Sequence, residues 1–133
     1  MRYLLDTNTC IQFLNQRSQK LIERLTDTPD EDIFVCSVVK AEMFYGAQKS
    51  ARRERNLAVQ RAFFTRYVSL PFDDATAAHY AVIRAGLEGR GQPIGANDLL
   101  IAAIALAHDL TLVTHNISEF ERIAELRCED WEA

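Results

Sequence analysis

Cysteine, glycine and positive charge are all scarce in this chain, and each shortage closes off a class of protein. The three cysteines, Cys10, Cys36 and Cys128, lie far apart and form no C-x-x-C pair. That spacing excludes a disulfide framework and a cysteine zinc site, and predicts reduced, buried thiols in a cytoplasmic protein. No apolar run approaches membrane-spanning length, and no signal-peptide pattern opens the sequence. Lysine and arginine number 15 against 19 acids, a net charge of −4. Such a chain has no general attraction for nucleic acid, so any contact with it needs a local basic patch or metal ions. The five glycines form neither G-x-G-x-x-G nor G-x-x-x-x-G-K, which removes the nucleotide-cradling loops. There is no G-x-S-x-G elbow, and Asp6-Thr7-Asn8 lacks the second aspartate of an aspartyl-phosphatase loop. Repeats, low-complexity tracts and interdomain linkers are also missing.

What is present is an ordinary globular composition, 48% hydrophobic and 26% charged over 133 residues, which predicts one domain spanning 1–133. The organising stretch runs from Gly91 to Asn116. Gly89, Gly91, Pro93 and Gly95 mark a loop, Asn97-Asp98 follows, and Leu99 to Ala107 contains only Leu, Ile and Ala. A helix apolar all round is a buried one, so Asp98 stands at the first turn of a buried helix, where the dipole favours negative charge. Thr111 to Thr114 reads as a short strand, and His115-Asn116 ends it.

Met1 to Leu5 reads as a strand buried on both faces, ending at Asp6, with a helix over about 9–15. Capping suffices to explain Asp6, and Thr7 or Asn8 would cap as well. Gln19 to Leu25 predicts a second helix, and Ile33 to Cys36 a second strand. Ser37 then caps a helix running to about Lys49. At 100° per residue Glu42 falls within an arc of Val38, Val39, Tyr45 and Gly46, with Lys40 and Ala47 on the far side. A carboxylate on an apolar face is costly without a partner, which gives Glu42 a functional or metal-linked reading.

The basic run Ser50 to Asn56, with Arg52 and Arg53, is either a solvated turn or a phosphate contact. The helix it opens, about 54–67, ends in Phe63, Phe64 and Tyr67, which suit the core or a partner groove equally. Val68 to Phe72 is a third strand, and Pro71 points to an edge position or a strand end. Asp73-Asp74 opens a helix to about Leu87, followed by Arg90; Arg84 and Arg90 flank the glycine loop and can face a phosphate. His79, His108 and His115 show no metal-ligand spacing. A short helix over about 118–123, a strand over about 126–128 and a packed Trp131 complete the chain. Alternating strands and helices predict an α/β fold, a three-layer α/β/α sandwich around a parallel sheet of four to five strands.

In such a fold the carboxyl ends of central strands and the neighbouring helix openings share one edge. Asp6, Glu42, Asp98 and Asn116 then converge. Three carboxylates repel one another strongly unless a hard divalent cation joins them, and oxygen ligands suit Mg²⁺ or Mn²⁺. Such an ion activates water and stabilises phosphoryl charge, so the chemistry predicted is phosphate-ester hydrolysis.

The segments LLDTN, SVVKAEMFYGA, GRGQPIGANDLLIAAIA, TLVTHNISEFERI and LRCEDW, in this order and spacing, resemble the PIN-domain family, and most closely its VapC toxins. The resemblance covers nearly the whole chain. It implies a Mg²⁺-dependent endoribonuclease held in check by a VapB-like antitoxin. Asp6, Glu42 and Asp98 match the family's active-site acids, with Asp6 and Asp98 the principal metal ligands. Many members carry a fourth aspartate where this chain has Asn116, so Asn116 would orient water, with Glu119 as the candidate for the missing charge. Thr7 and Ser37 would support the acids by hydrogen bonds, and Arg52, Arg53, Arg84 and Arg90 would hold RNA backbone. The glycine loop and the THN segment resemble the branch that cleaves initiator tRNA in its anticodon loop. A homodimer, and promoter DNA bound only through the antitoxin, are further implications. Two other readings stand beside these: a weakly catalytic module whose work is antitoxin binding and repression, and a DNA-directed nuclease.

Overall fold

The computed structural model describes residues 1–133. The chain runs through β1 (Tyr3–Leu5), α1 (Thr7–Leu14), α2 (Gln19–Asp27), β2 (Ile33–Cys36), α3 (Ser37–Lys49), α4 (Arg53–Phe64), β3 (Val68–Leu70), α5 (Asp74–Gly89), α6 (Ala96–Ala107), β4 (Thr111–Val113), α7 (Ile117–Phe120) and β5 (Cys128–Glu129). The strands form one all-parallel sheet in the order β3-β2-β1-β4-β5, with the helices layered on its faces. Leu4 pairs with Phe34 on one side and Leu112 on the other, which makes β1 central. Pro71 follows β3 immediately, and β3 is an edge strand as predicted.

Crossovers carry the chain from β1 towards β2 and from β4 towards β5, in opposite directions along the sheet. The order therefore reverses between β1 and β4. A crevice opens outside the carboxyl ends of such a strand pair, because the flanking helices diverge there. Asp6 leaves β1 at this point and Thr114 leaves β4.

The core is aliphatic around α6 and aromatic around α4. Ile101 through Ala105 are fully buried in α6, which spares the helix any solvated face. Phe63 and Phe64 are buried with ring centroids 5.5 Å apart, Tyr67 lies beside them, and Phe44 meets Phe64 edge-on at 5.7 Å. These rings belong to the core, whereas Tyr45 is 63% exposed. Trp131 packs edge-on against Tyr3, fixing the end of the chain as expected.

Several local expectations shift. The chain passes from β2 into α3 without a turn, so Cys36 occupies the cap position and Ser37 is already helical and exposed. The buried stripe of α3 is Val39, Met43 and Ala47, spaced four apart, not the arc around Glu42. Lys40 is half-buried because its ammonium lies over the Phe64 ring. Helix α1 starts at Thr7 because Asp6 caps it, two residues earlier than predicted. Gly89 ends α5 and does not lie in the following loop, where Gly91 takes the left-handed conformation. Helix α7 is only four residues long and β5 begins two residues later than expected, at Cys128. Cys10 and Cys36 are buried, but Cys128 is only half-buried, because β5 is an edge strand.

Candidate active site

Asp6 sits where β1 ends and α1 begins, and it is buried. Its Oδ1 accepts from the Thr9 amide at 2.8 Å, so the residue is the helix cap. Its backbone N–H donates to Val113 O at 3.1 Å, which ties the cap to β4. Thr114, one residue past β4, lies close enough to the same carboxylate to lower its pKa. Burial raises the Asp6 pKa and the Glu42 charge adds to this, while the Thr114 and Thr9 hydrogen bonds oppose it.

Glu42 reaches this point from α3. Its Oε1 accepts from the Thr7 hydroxyl at 2.7 Å, so the first residue of α1 and the second turn of α3 are joined. Asp98 stands in the first turn of α6, whose cap is Gly95 without any side-chain hydrogen bond. Burial, then the neighbouring Glu119 charge and hydrogen bond, then Asp6 and Glu42, push the Asp98 carboxyl up to about 7. Glu119 is held in place from two sides: the Gly95 N–H donates to its Oε1 at 2.9 Å, and the Asn116 amide donates to its Oε2.

Four carboxylates, Asp6, Glu42, Asp98 and Glu119, thus gather outside the ends of β1 and β4. No lysine, arginine or histidine lies within ion-pair distance of any of them. Carboxylates held above their usual range without a cation are a donor set that fits a hard divalent ion.

The remaining predicted residues fall out as follows. Asn116 does not end β4; it lies three residues beyond Val113, exposed, and is spent on Glu119. Ser37 is exposed and its hydroxyl bonds to none of the acids. Arg84 is tied to Glu88 at 3.0 Å and to the Tyr80 hydroxyl at 2.8 Å, and Arg90 donates to Arg122 O at 2.8 Å. Arg52 and Arg53 are exposed beside Arg55 in a hollow of about 480 Å³ at the α3–α4 turn.

Two supporting residues went unread in the sequence, Thr9 and Thr114. Thr9 Oγ1 donates to Val113 O at 3.1 Å and Thr114 Oγ1 accepts from the Asn116 backbone N–H at 3.0 Å. The only available sign was their place, three residues after Asp6 and two before Asn116. His115 also has partners that its spacing hid. It meets Asp130 at 2.9 Å, with Glu132 close by, and ligand atoms of all three lie within 4.8 Å of one another. The hydrogen bond to Asp130, and then its charge, raise the His115 pKa.

A family profile described as PIN domain matches residues 3–126. The chain belongs to the PIN-domain family. This PIN domain is 40% identical over 131 residues to ribonuclease VapC2 of Haemophilus influenzae, covering 98% of each chain. It is also 40% identical over 131 residues, again 98% of each, to the tRNA(fMet)-specific endonuclease VapC of Salmonella typhimurium. The DNA-bound VapBC crystal structure from Salmonella typhimurium contains a chain that superposes with a TM-score of 0.93 at 40% identity, with 98% of both chains covered. The α/β sandwich predicted from the strand–helix alternation is the PIN fold. No helix is long and apolar enough to cross a membrane.

Proposed function

We propose that this PIN domain, one domain over residues 1–133, is the toxin of a VapBC-type pair: a cytoplasmic, Mg²⁺-dependent endoribonuclease that hydrolyses a phosphodiester of tRNA. The observation that carries the reading is the gathering of Asp98 and Glu119 beside Gly95, with Asp6 and Glu42 near, and no cationic side chain within ion-pair distance. Asp6 and Asp98 would hold Mg²⁺, with Mn²⁺ an acceptable substitute. When bound, the ion supplies charge stabilisation at the phosphoryl group and an acidified water.

The chain's own residues do the rest. The Thr9 amide fixes Asp6 in one orientation, and Gly95 with Asn116 does the same for Glu119. The Thr7 hydroxyl occupies Oε1 of Glu42, which leaves Oε2 to take the proton of an attacking water. As the water oxygen bonds to phosphorus, the bond to the leaving ribose oxygen breaks. Glu119 replaces the charge that Asn116 does not bring, so the site keeps four carboxylates.

The name of the Salmonella relative supports initiator tRNA as the specific substrate, and the reading places the cut in its anticodon loop. The DNA-bound VapBC relatives support a cognate VapB-like antitoxin as partner and promoter DNA as a ligand of the pair. A toxin homodimer, and DNA reached only through the antitoxin, complete the proposal. The DNA-bound relative also favours a second reading, a weakly catalytic subunit working chiefly as the antitoxin's co-repressor. Cleavage of total RNA by antitoxin-free protein separates the two, run with Mg²⁺ and with EDTA beside Asp98→Ala and followed by sequencing of new ends. A single Mg²⁺-dependent cut in one tRNA, lost in the variant, is the expected result. Intact RNA under every divalent ion would leave the co-repressor reading in its place.

A further inference from the structure

Helix α3 carries a second stripe besides the buried one. Glu42, Tyr45, Gly46 and Lys49 lie within a narrow arc at helical spacing, three, four and seven residues from the acid. Tyr45 is about 4.5 Å and Lys49 about 10.5 Å further along the axis from Glu42. The Tyr45 ring is 63% exposed and its only cation is Lys49, whose Nζ sits 4.6 Å from the ring centroid.

Gly46 lies in the interior of this helix, where glycine is destabilising relative to alanine. Packing does not demand it, since a Cβ built there meets nothing within 4 Å, and its φ is not positive. The fold gives no reason for the missing side chain. An occupant lying along the surface between Glu42 and Lys49, beside Tyr45, does. Beyond Lys49 the surface turns into the hollow lined by Arg52, Arg53, Glu54 and Arg55, where no arginine pairs with a carboxylate. In a chain of net charge −4 this is a net basic path, three arginines to one glutamate, that begins beside the acids.

We propose that this outer stripe of α3 is a nucleotide subsite. One unpaired base of the substrate strand lies on the Tyr45 ring over the bare backbone of Gly46, its phosphate takes Lys49, and the strand continues towards Arg52 and Arg53. Aromatic rings hold single-stranded RNA through stacking, which any base satisfies, and cations follow its backbone. The Lys49–ring contact is exposed and weak, so the ammonium is free to turn to a phosphate. This assignment rests on the ribonuclease reading and deepens it: the substrate it fits is a loop, not a duplex.

The test measures binding of a labelled RNA hairpin with a single-stranded loop by fluorescence anisotropy, in an Asp98→Asn background that does not cleave. Tyr45→Ala is expected to weaken binding about tenfold, the loss of one stacked base, while Tyr45→Phe stays within about twofold. Gly46→Ala separates ligand contact from structure: it raises the thermal midpoint yet weakens RNA binding. Lys49→Gln lowers the slope of log affinity against log salt by about one. The hairpin's sequence closed into a full duplex binds more weakly. Unchanged affinity in both Tyr45→Ala and Gly46→Ala overturns the subsite, as does an affinity loss in Gly46→Ala that follows a lowered midpoint. Variants that lose only the antitoxin complex would assign the stripe to the protein partner and overturn it too. A parent protein that binds no RNA at all sinks the ribonuclease reading along with the subsite, an outcome distinct from parent binding that the variants leave untouched.

Discussion

The Thr7 hydroxyl donates to Glu42 Oε1 at 2.7 Å across 35 positions of sequence. This bond joins the helix that Asp6 caps to the helix that presents Glu42, so the two acids are placed by one local arrangement. It also decides which Glu42 oxygen remains available.

Thr7→Val removes that bond and keeps the side chain's shape. The expected cost in stability is about 1 kcal/mol, because the pair is only half-buried. Cleavage falls about ten- to a hundredfold, the usual effect of releasing a group that orients a functional side chain. Denaturant titration alongside cleavage rates checks both. Wild-type rates in Thr7→Val would remove the positioning role.

Asp98 makes stability depend on pH in a stated direction. Its carboxyl is held up to about 7 by burial, Glu119, Asp6 and Glu42, against about 3.9 in an unfolded chain. Between those values the folded metal-free protein binds more protons than the unfolded one. Linkage then requires stability to be fully present below the lower value and to fall as pH rises through the upper one. Thermal midpoints in EDTA should decline between about pH 5 and pH 7.5, and Asp98→Asn should flatten the decline. Divalent cations should raise the midpoint most at the upper end, where the acids are ionised and repel one another. A flat profile in EDTA contradicts the crowded-carboxylate site.

The thiols should be inert despite being reduced. Burial pushes Cys36 and Cys128 up to about 11, and raises Cys10 well above its ordinary value. At pH 8 a thiol at 11 is thiolate in about one molecule per thousand. Iodoacetamide at that pH should label none of the three in the time it labels the denatured chain. As pH rises towards about 11, half-buried Cys128 should react first. Rapid labelling of native Cys128 at pH 8 would contradict its desolvated setting.

Ile104→Ala should cost about 2–5 kcal/mol, since Ile104 is fully buried in a helix with no solvated side. Chemical denaturation gives the value. A cost below about 1 kcal/mol would mean that α6 collapses around the cavity.

Much of this molecule was legible before folding because it is written in local terms. The unbroken Leu, Ile and Ala run of α6 has no stable exposed state, so burial followed from composition alone. Pro71 stops β3 at Leu70, and an edge place was one of the two readings it allowed. Asp6 and Asp98 could be singled out because one ends a strand and the other opens a buried helix, and Glu42 because it fell within an apolar arc at helical spacing. Convergence needed only the rule that parallel strands end on one edge.

What the tertiary structure decided are contacts between segments far apart in sequence, which carry no local signal. The buried face of α3 is set by its packing against α1, α4 and α6, and the helix has too little contrast around its circumference to reveal it. Asn116 serves Glu119, three residues on, and Thr114 comes near Asp6 only because β1 and β4 are neighbours. His115 gains Asp130 through the pairing of β4 with β5. The sequence by itself determined which side chains had chemistry to offer. Folding decided which of them meet, since meeting depends on strand order and crossover, and those are properties of the whole sheet.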